Sequence, residues 1–217
     1  MLSLAVAPIA LASEPGTAPA STPGTELDAL LHGMASTAGV EVQFREQKEI
    51  ALLAAPLESR GVIYFVPPDR FARFTLSPGY SSLVIDGETL RYREGRDGDE
   101  VDLTGSPTAR VFVDNFIALW SGDRERLEHL YEVELRGGGA TWQLNLEPRR
   151  RPLSRFIQKI VLSGDVTGMK QMLVQNRNGD RTISRFERVE SDRAFTAEEL
   201  HRIFGTRDPL DAALGER

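Results

Sequence analysis

Three histidines, His32, His129 and His201, are the side chains best suited to move protons or hold a metal near neutral pH, and they lie far apart in the chain. None belongs to an H-E-x-x-H pair, which would set two imidazoles on one helix face around a metal. They read as solvated or capping histidines. Asp97, Asp99, Glu100 and Asp102 could attract a hard cation, but a calcium loop needs alternate oxygens followed by glycine, and EGRDGDEVDLTG has another order. A solvated turn is the simpler reading. Arg149-Arg150-Arg151, fenced by Pro148 and Pro152, could meet anions, or simply form an exposed turn between strands. The chain has no cysteine, which excludes disulfides, thiolate metal sites and cysteine nucleophiles. It also lacks a G-x-S-x-G elbow, a P-loop and a dinucleotide-type glycine pattern. No catalytic residue, no metal site and no cofactor is therefore expected, and the chain does not read as an enzyme.

What remains unusual is apolar surface. Val62 to Val66 are five apolar residues in a row, so this strand should be buried on both faces. Such a surplus points to a binder. The 217 residues fit one domain with a sizeable core. A net charge of −6, spread along the chain, argues against nucleic acid as a partner. MLSLAVAPIALAS at the start resembles the apolar part of a secretory signal peptide, with cleavage near Ala12. We read residues 1–12 as that signal, 13–24 as a Pro/Ala/Ser/Thr/Gly-rich linker, 25–207 as one domain and 208–217 as a loose tail.

Thr25 reads as an N-cap, and Leu27, Leu30, Leu31 and Met34 follow helical spacing, so 26–36 is expected to be an amphipathic helix. Period-two alternation at 40–45, 89–93 and 142–146, with apolar runs between turn signals elsewhere, predicts strands at 40–45, 61–66, 71–76, 82–85, 89–93, 131–136, 142–146, 155–162, 170–177 and 182–189, with a charged loop and a short strand over 94–105. Asp86-Gly87-Glu88 reads as a tight hairpin and Asn178-Gly179 as a type I′ turn. Ser106-Pro107 opens a helix too apolar to lie on the surface, bearing Phe112, Phe116 and Trp120 on one face. A more polar helix follows at 123–130. Thr196 with Glu199 forms a capping box, and Phe195 with Leu200 a hydrophobic staple, for a short helix at 197–204. About ten strands joined by tight turns imply a mainly β fold with helices (α+β): an antiparallel sheet that curls into an open barrel with a helix in its mouth.

Several stretches share a pattern. V-E-V-Q-F-R-E-Q-K opens the sheet (Phe44, Glu46, Lys48), and P-L-E-S-R-G-V-I-Y-F follows (Pro56, Leu57, Ser59, Gly61). Then come P-D-R-F-A-R-F with prolines at Pro68 and Pro78, L-V-I-D-G-E-T-L-R-Y, and W-Q-L-N-L-E-P before I-V-L-S-G. This order resembles the periplasmic outer-membrane lipoprotein carrier family (LolA-like) from about residue 26 to 190. The resemblance implies an open, strongly bent antiparallel half-barrel with a helical lid. Its cavity would hold lipoprotein acyl chains between an inner-membrane transporter and an outer-membrane acceptor, in the periplasm of a Gram-negative bacterium. The lack of cysteine places the chain on the soluble carrier side, as a monomer. Two positions depart from the family pattern: Pro67 stands where a lid-holding arginine is common, and Arg73 where tryptophan is common. A glycolipid or aryl-polyene-type cargo, or a lipid-sensing or structural envelope role, therefore stays open beside lipoprotein transport.

Of the 61–66 strand, Ile63 and Phe65 form the purely apolar alternate set and are expected to face the cavity, with Val62 and Tyr64 outward. Phe71 matches a family rim position, and Phe74, of opposite parity, is kept with it. Leu90, Tyr92, Trp142, Leu144 and Leu146 complete the expected lining, and Phe112, Phe116 and Trp120 the lid.

Overall fold

The computed structural model describes residues 23–95 and 97–205. The expected signal peptide, residues 13–22 of the linker and the tail lie outside them. A first helix, α1 (Pro23–Ala35), leads into five strands, β1 (Val40–Glu49), β2 (Leu57–Val66), β3 (Arg70–Ser77), β4 (Ser81–Asp86) and β5 (Thr89–Glu94). Strand β6 (Asp97–Asp102) and a 3-10 turn (Leu103–Gly105) follow, then helices α2 (Pro107–Ser121) and α3 (Arg124–Leu130). Next are β7 (Tyr131–Gly138), β8 (Thr141–Pro148), the single-turn α4 (Leu153–Phe156), β9 (Ile157–Asp165), β10 (Gly168–Asn176), β11 (Arg181–Ser191) and α5 (Ala197–Phe204).

All eleven strands form one antiparallel sheet in the order β6-β5-β4-β3-β2-β1-β11-β10-β9-β8-β7. It is open, with β6 and β7 at its margins. Those two strands are consecutive in the chain, so α2 and α3 must carry the backbone from one margin to the other. They cross the inner face, and the sheet bends around α2. Phe116 stacks on Phe71 of β3 (5.5 Å between centroids), and Trp120 meets Phe71 (6.1 Å) and Phe186 of β11 (5.4 Å).

The pairing fixes which side chains look inward. Phe44 opposes Gly61 and Phe186; Phe65 opposes Phe71; Leu144 opposes Leu162 and Leu135. These residues belong to, or pack against, one cluster that also takes in Leu27, Leu31, Ile85, Ile117 and Tyr131. Gly61 is required here because a Cβ would collide with the Phe74 carbonyl and the Phe44 ring. The outer face carries a second apolar cluster over β2–β4, where Val62, Tyr64, Ala72, Phe74 and Val84 pack under Phe195, Leu200, Ile203 and Phe204. That answers why 62–66 is apolar on both sides: α2 and its neighbours cover one face and α5 the other. The capping box of Thr196 and Glu199 starts α5. Arg91 donates to the Phe204 (2.7 Å) and Gly205 (3.2 Å) carbonyls at its end, groups that a helix leaves without internal partners.

Three local expectations are corrected. Helix α1 begins at Pro23, so Thr25 lies inside its first turn instead of capping it, and the last two linker residues are helical. Proline at a helix start loses no hydrogen bond, which is why the helix extends that far. Residues 155–156 are not strand: they finish α4, whose turn follows Pro152. The β10–β11 connection is four residues long, and of Asn178 and Gly179 only the glycine has positive φ (89°), so it is not a type I′ turn. The short strand expected within 94–105 is β6, which pairs fully with β5 and makes eleven strands among the described residues.

Candidate functional site

Between α1 and the inner face of the sheet lies a cavity of about 720 Å³. Helix α1 is amphipathic in two stripes. Leu27 and Leu31 are buried in the main cluster. Leu30 and Met34, with Ala29 and Gly33, line the cavity from above. Its floor and walls are Val40 and Val42 of β1, Phe186 and Val189 of β11, Leu135, Trp142 and Met169, with Trp120 closing the α2 side. Glu26, Thr37, Asp165, Thr167 and Ser191 give the rim its polarity. An apolar pocket with a few polar groups at its edge is the ordinary form of a small-molecule site, and this volume falls in the roughly 300–1,000 Å³ range of such sites.

Two glycines seat the covering helix. Gly122, in the left-handed region (φ 65°), closes α2 where any side chain would strike the Leu31 carbonyl. Gly138 passes where a Cβ would meet the Glu26 carboxylate. Helix α1 therefore rests closely at two points and bridges the space between. Arg124 of α3 pairs with Asp28 of α1, an exposed contact of small energetic worth. Trp142 is held by its indole N–H, which donates to the Asp165 carbonyl (3.2 Å), and its ring lies where a Cβ on Gly164 would stand. Its orientation is thus fixed from behind.

Of the residues expected to line a cavity, Trp142 does so. Ile63, Phe65, Phe71, Leu144 and Leu146 are buried in the same cluster, but in its filled part, and Leu90 packs against that part half-buried. Two placements are corrected. Phe74 lies on the outer face under α5, since pairing of Phe71 with Phe65 puts residue 74 on the other parity. Tyr92 is on the inner parity but beyond the covering helices; it is 45% exposed and its hydroxyl donates to Glu94 (2.7 Å). Of the expected lid, Trp120 reaches the cavity, Phe116 fills space beside Phe71, and Phe112 meets Phe156 (6.1 Å). The covering element that sequence reasoning missed is α1; its signal was the Leu30/Met34 pair, one step round the helix from the core stripe.

At the other end of the inner face the apolar cluster stops at charges. Arg73 pairs with Glu46 (2.9 Å) and lies over the Phe44 ring (4.4 Å to the centroid), while buried Ser184 donates to Glu46 (2.8 Å). An arginine at position 73 is therefore accommodated by a partner on β1. Deeper in, the Tyr131 hydroxyl donates to Asn115, and burial pushes the phenol well above its ordinary range, so it remains a neutral donor. The three histidines are exposed, on α1, α3 and α5.

A family model described as outer membrane lipoprotein carrier protein LolA-like matches residues 18–197. The chain belongs to the LolA-like family. No curated protein matches it. Among solved structures, the LolA-like chain is similar to a LolA superfamily protein from Nitrosomonas europaea, at 12% identity over 82% of this chain and 97% of that one, with a TM-score of 0.45. It is also similar to the lipoprotein LppX of Mycobacterium tuberculosis, at 10% identity over 81% and 99%, with a TM-score of 0.44. A third similarity is to the Pseudomonas aeruginosa MucA/MucB complex, at 15% identity and a TM-score of 0.42, where this LolA-like chain spans 60% of the other chain's length.

Proposed function

We propose that the protein shields the acyl chains of a lipoprotein in the cavity under α1 and carries them through the periplasm from an inner-membrane transporter to an outer-membrane acceptor. One observation supports this most: a large apolar cavity, roofed by a separate helix, in a member of the lipoprotein carrier family. Exposing a ~16-carbon chain to water costs roughly 0.8 kcal/mol per CH₂, on the order of 10 kcal/mol in all. A dry cavity removes most of that cost, and a carrier needs nothing covalent. Met34 and Met169 suit the task, because thioether side chains adapt to irregular apolar shapes.

Native mass spectrometry of protein purified from its own periplasm tests the reading. A co-purifying acylated peptide is expected. A non-peptidic lipid would assign the cavity to another envelope amphiphile. Protein that arrives empty and binds no fluorescent fatty acid would overturn the carrier reading.

A further inference from the structure

The strongest unassigned feature lies at the strand ends away from the cavity rim. The β1–β2 loop and the first residue of β2 read Ile50-Ala51-Leu52-Leu53-Ala54-Ala55-Pro56-Leu57, eight apolar residues without a charge. Residues 51–58 are all exposed, Leu52 by 94%. A soluble domain seldom leaves several large aliphatic side chains together in water without use for them. The loop has defined neighbours. Glu49 opposes Arg181, and Asn176 opposes Ile157, so the β10–β11 turn and α4 stand beside it. The Ala51 amide donates to Asp180 (3.1 Å), and Arg177 donates to the Ser154 carbonyl (2.6 Å). Phe156, half-exposed, extends the apolar surface.

The stretch leading into and through α4, Arg149 to Arg155, holds four arginines and no acid. Arg149 is engaged with the Glu128 and Tyr131 carbonyls and with Glu132. Arg150, Arg151 and Arg155 are exposed, and no acidic side chain among the described residues pairs with them. In a chain of net charge −6, three unpaired cations beside an uncharged apolar loop are a local reversal of character.

We infer that this end of the molecule docks on the surface of an anionic lipid bilayer, with Leu52 and Leu53 entering the headgroup region and Arg150, Arg151 and Arg155 meeting lipid phosphates. Aliphatic side chains with adjacent cations are the combination that holds proteins at such an interface. A fluid bilayer fits better than a folded partner, because the loop residues 51–56 and the first two residues of β2 are exposed in succession instead of lining a recess. The cavity rim, at Gly138–Gly139, Asp165–Gly168 and Ser191, belongs to the opposite strand ends. At about 3.3 Å per strand residue, docking leaves the rim roughly 30 Å from the bilayer. The contact therefore tethers the protein with its cavity free, and it stands whether or not the cavity holds acyl chains.

Flotation of the whole protein with vesicles tests this. Binding is expected to vesicles of equimolar phosphatidylglycerol and phosphatidylcholine, to weaken as salt is raised, and to fall sharply on phosphatidylcholine alone. Leu52→Asp with Leu53→Asp should abolish flotation. Arg150→Gln, Arg151→Gln and Arg155→Gln should cost about fivefold each, on the order of 100-fold together. All these positions are exposed, so thermal unfolding and fatty-acid binding should match the parent, which separates this test from that of the cavity. Wild-type protein that ignores anionic vesicles, or a double-aspartate variant that floats as well as wild type, overturns the proposal. So does a residue-52 photocrosslink that captures only protein.

Discussion

Phe65 and Phe186 look to the same side of the same sheet, two strands apart, yet one is sealed in a solid core and the other borders a cavity. At these positions both strands turn apolar side chains inward, Ile63 and Phe65 on β2, Phe186 and Val189 on β11. The helix above differs. Over Phe65 and Phe71, α2 brings Phe116 and Trp120, whose rings fill the space. Over Phe186, α1 brings Leu30 and Met34 separated by Ala29 and Gly33. Whether this face is packed or hollow is thus decided by the covering helix, and the strands serve both ends.

The hardest test of that contrast is in the solid half. Phe65→Ala, at a fully buried position, should lower stability by roughly 3–5 kcal/mol in urea unfolding. A loss below about 1 kcal/mol would mean that this half collapses easily and is not solid. The hollow half should respond the other way. Leu30→Trp with Met34→Trp fills space that is empty, so stability should change by about 1 kcal/mol or less, while affinity for a fluorescent fatty acid falls about tenfold or more. Equal probe binding by that variant would place the acyl site elsewhere. The smallest effect concerns the outer face. The Thr196 amide and hydroxyl, with Arg193, hold the Glu199 carboxyl below its ordinary range. Because the folded value is depressed, this capping contribution is present above the unfolded carboxylate value and is lost as pH falls through the folded one. Protection of the α5 amides, taken relative to intrinsic exchange at each pH, should therefore fall once pH drops below the ordinary carboxylate range, while probe binding stays level. A parallel loss of probe binding would couple the two faces.

Much of this architecture is legible in the residues. Alternation, or an apolar run between turn signals, marked most strands, and the Thr196/Glu199 spacing marked α5 to its ends, because local rules govern both. Where local signals were ambiguous, tertiary context decided. Arg155 and Phe156 look like the start of a strand, but Pro152 begins a turn of helix first. The cavity was the least legible part. A void is made by side chains that are absent, and nothing in the spacing of Leu30 and Met34 states how far α1 stands above the sheet. The parity of Ile63 and Phe65 placed them on the inner face but could not tell a filled end from an empty one. Phe74 was mistaken because its apolarity serves a second cluster, under a helix more than 120 residues away in the chain.

An open sheet has another obligation besides its cavity. Its two margins present backbone donors and acceptors to any passing strand. Helix α3 packs beside β7, while β6 is bare, and that strand carries Asp97, Asp99, Glu100 and Asp102 in six residues. Read first as a solvated turn, this run is better understood as a guard on a sticky edge. Two copies approaching edge to edge would bring eight carboxylates together, a repulsion that opposes strand-by-strand growth of an unclosed barrel.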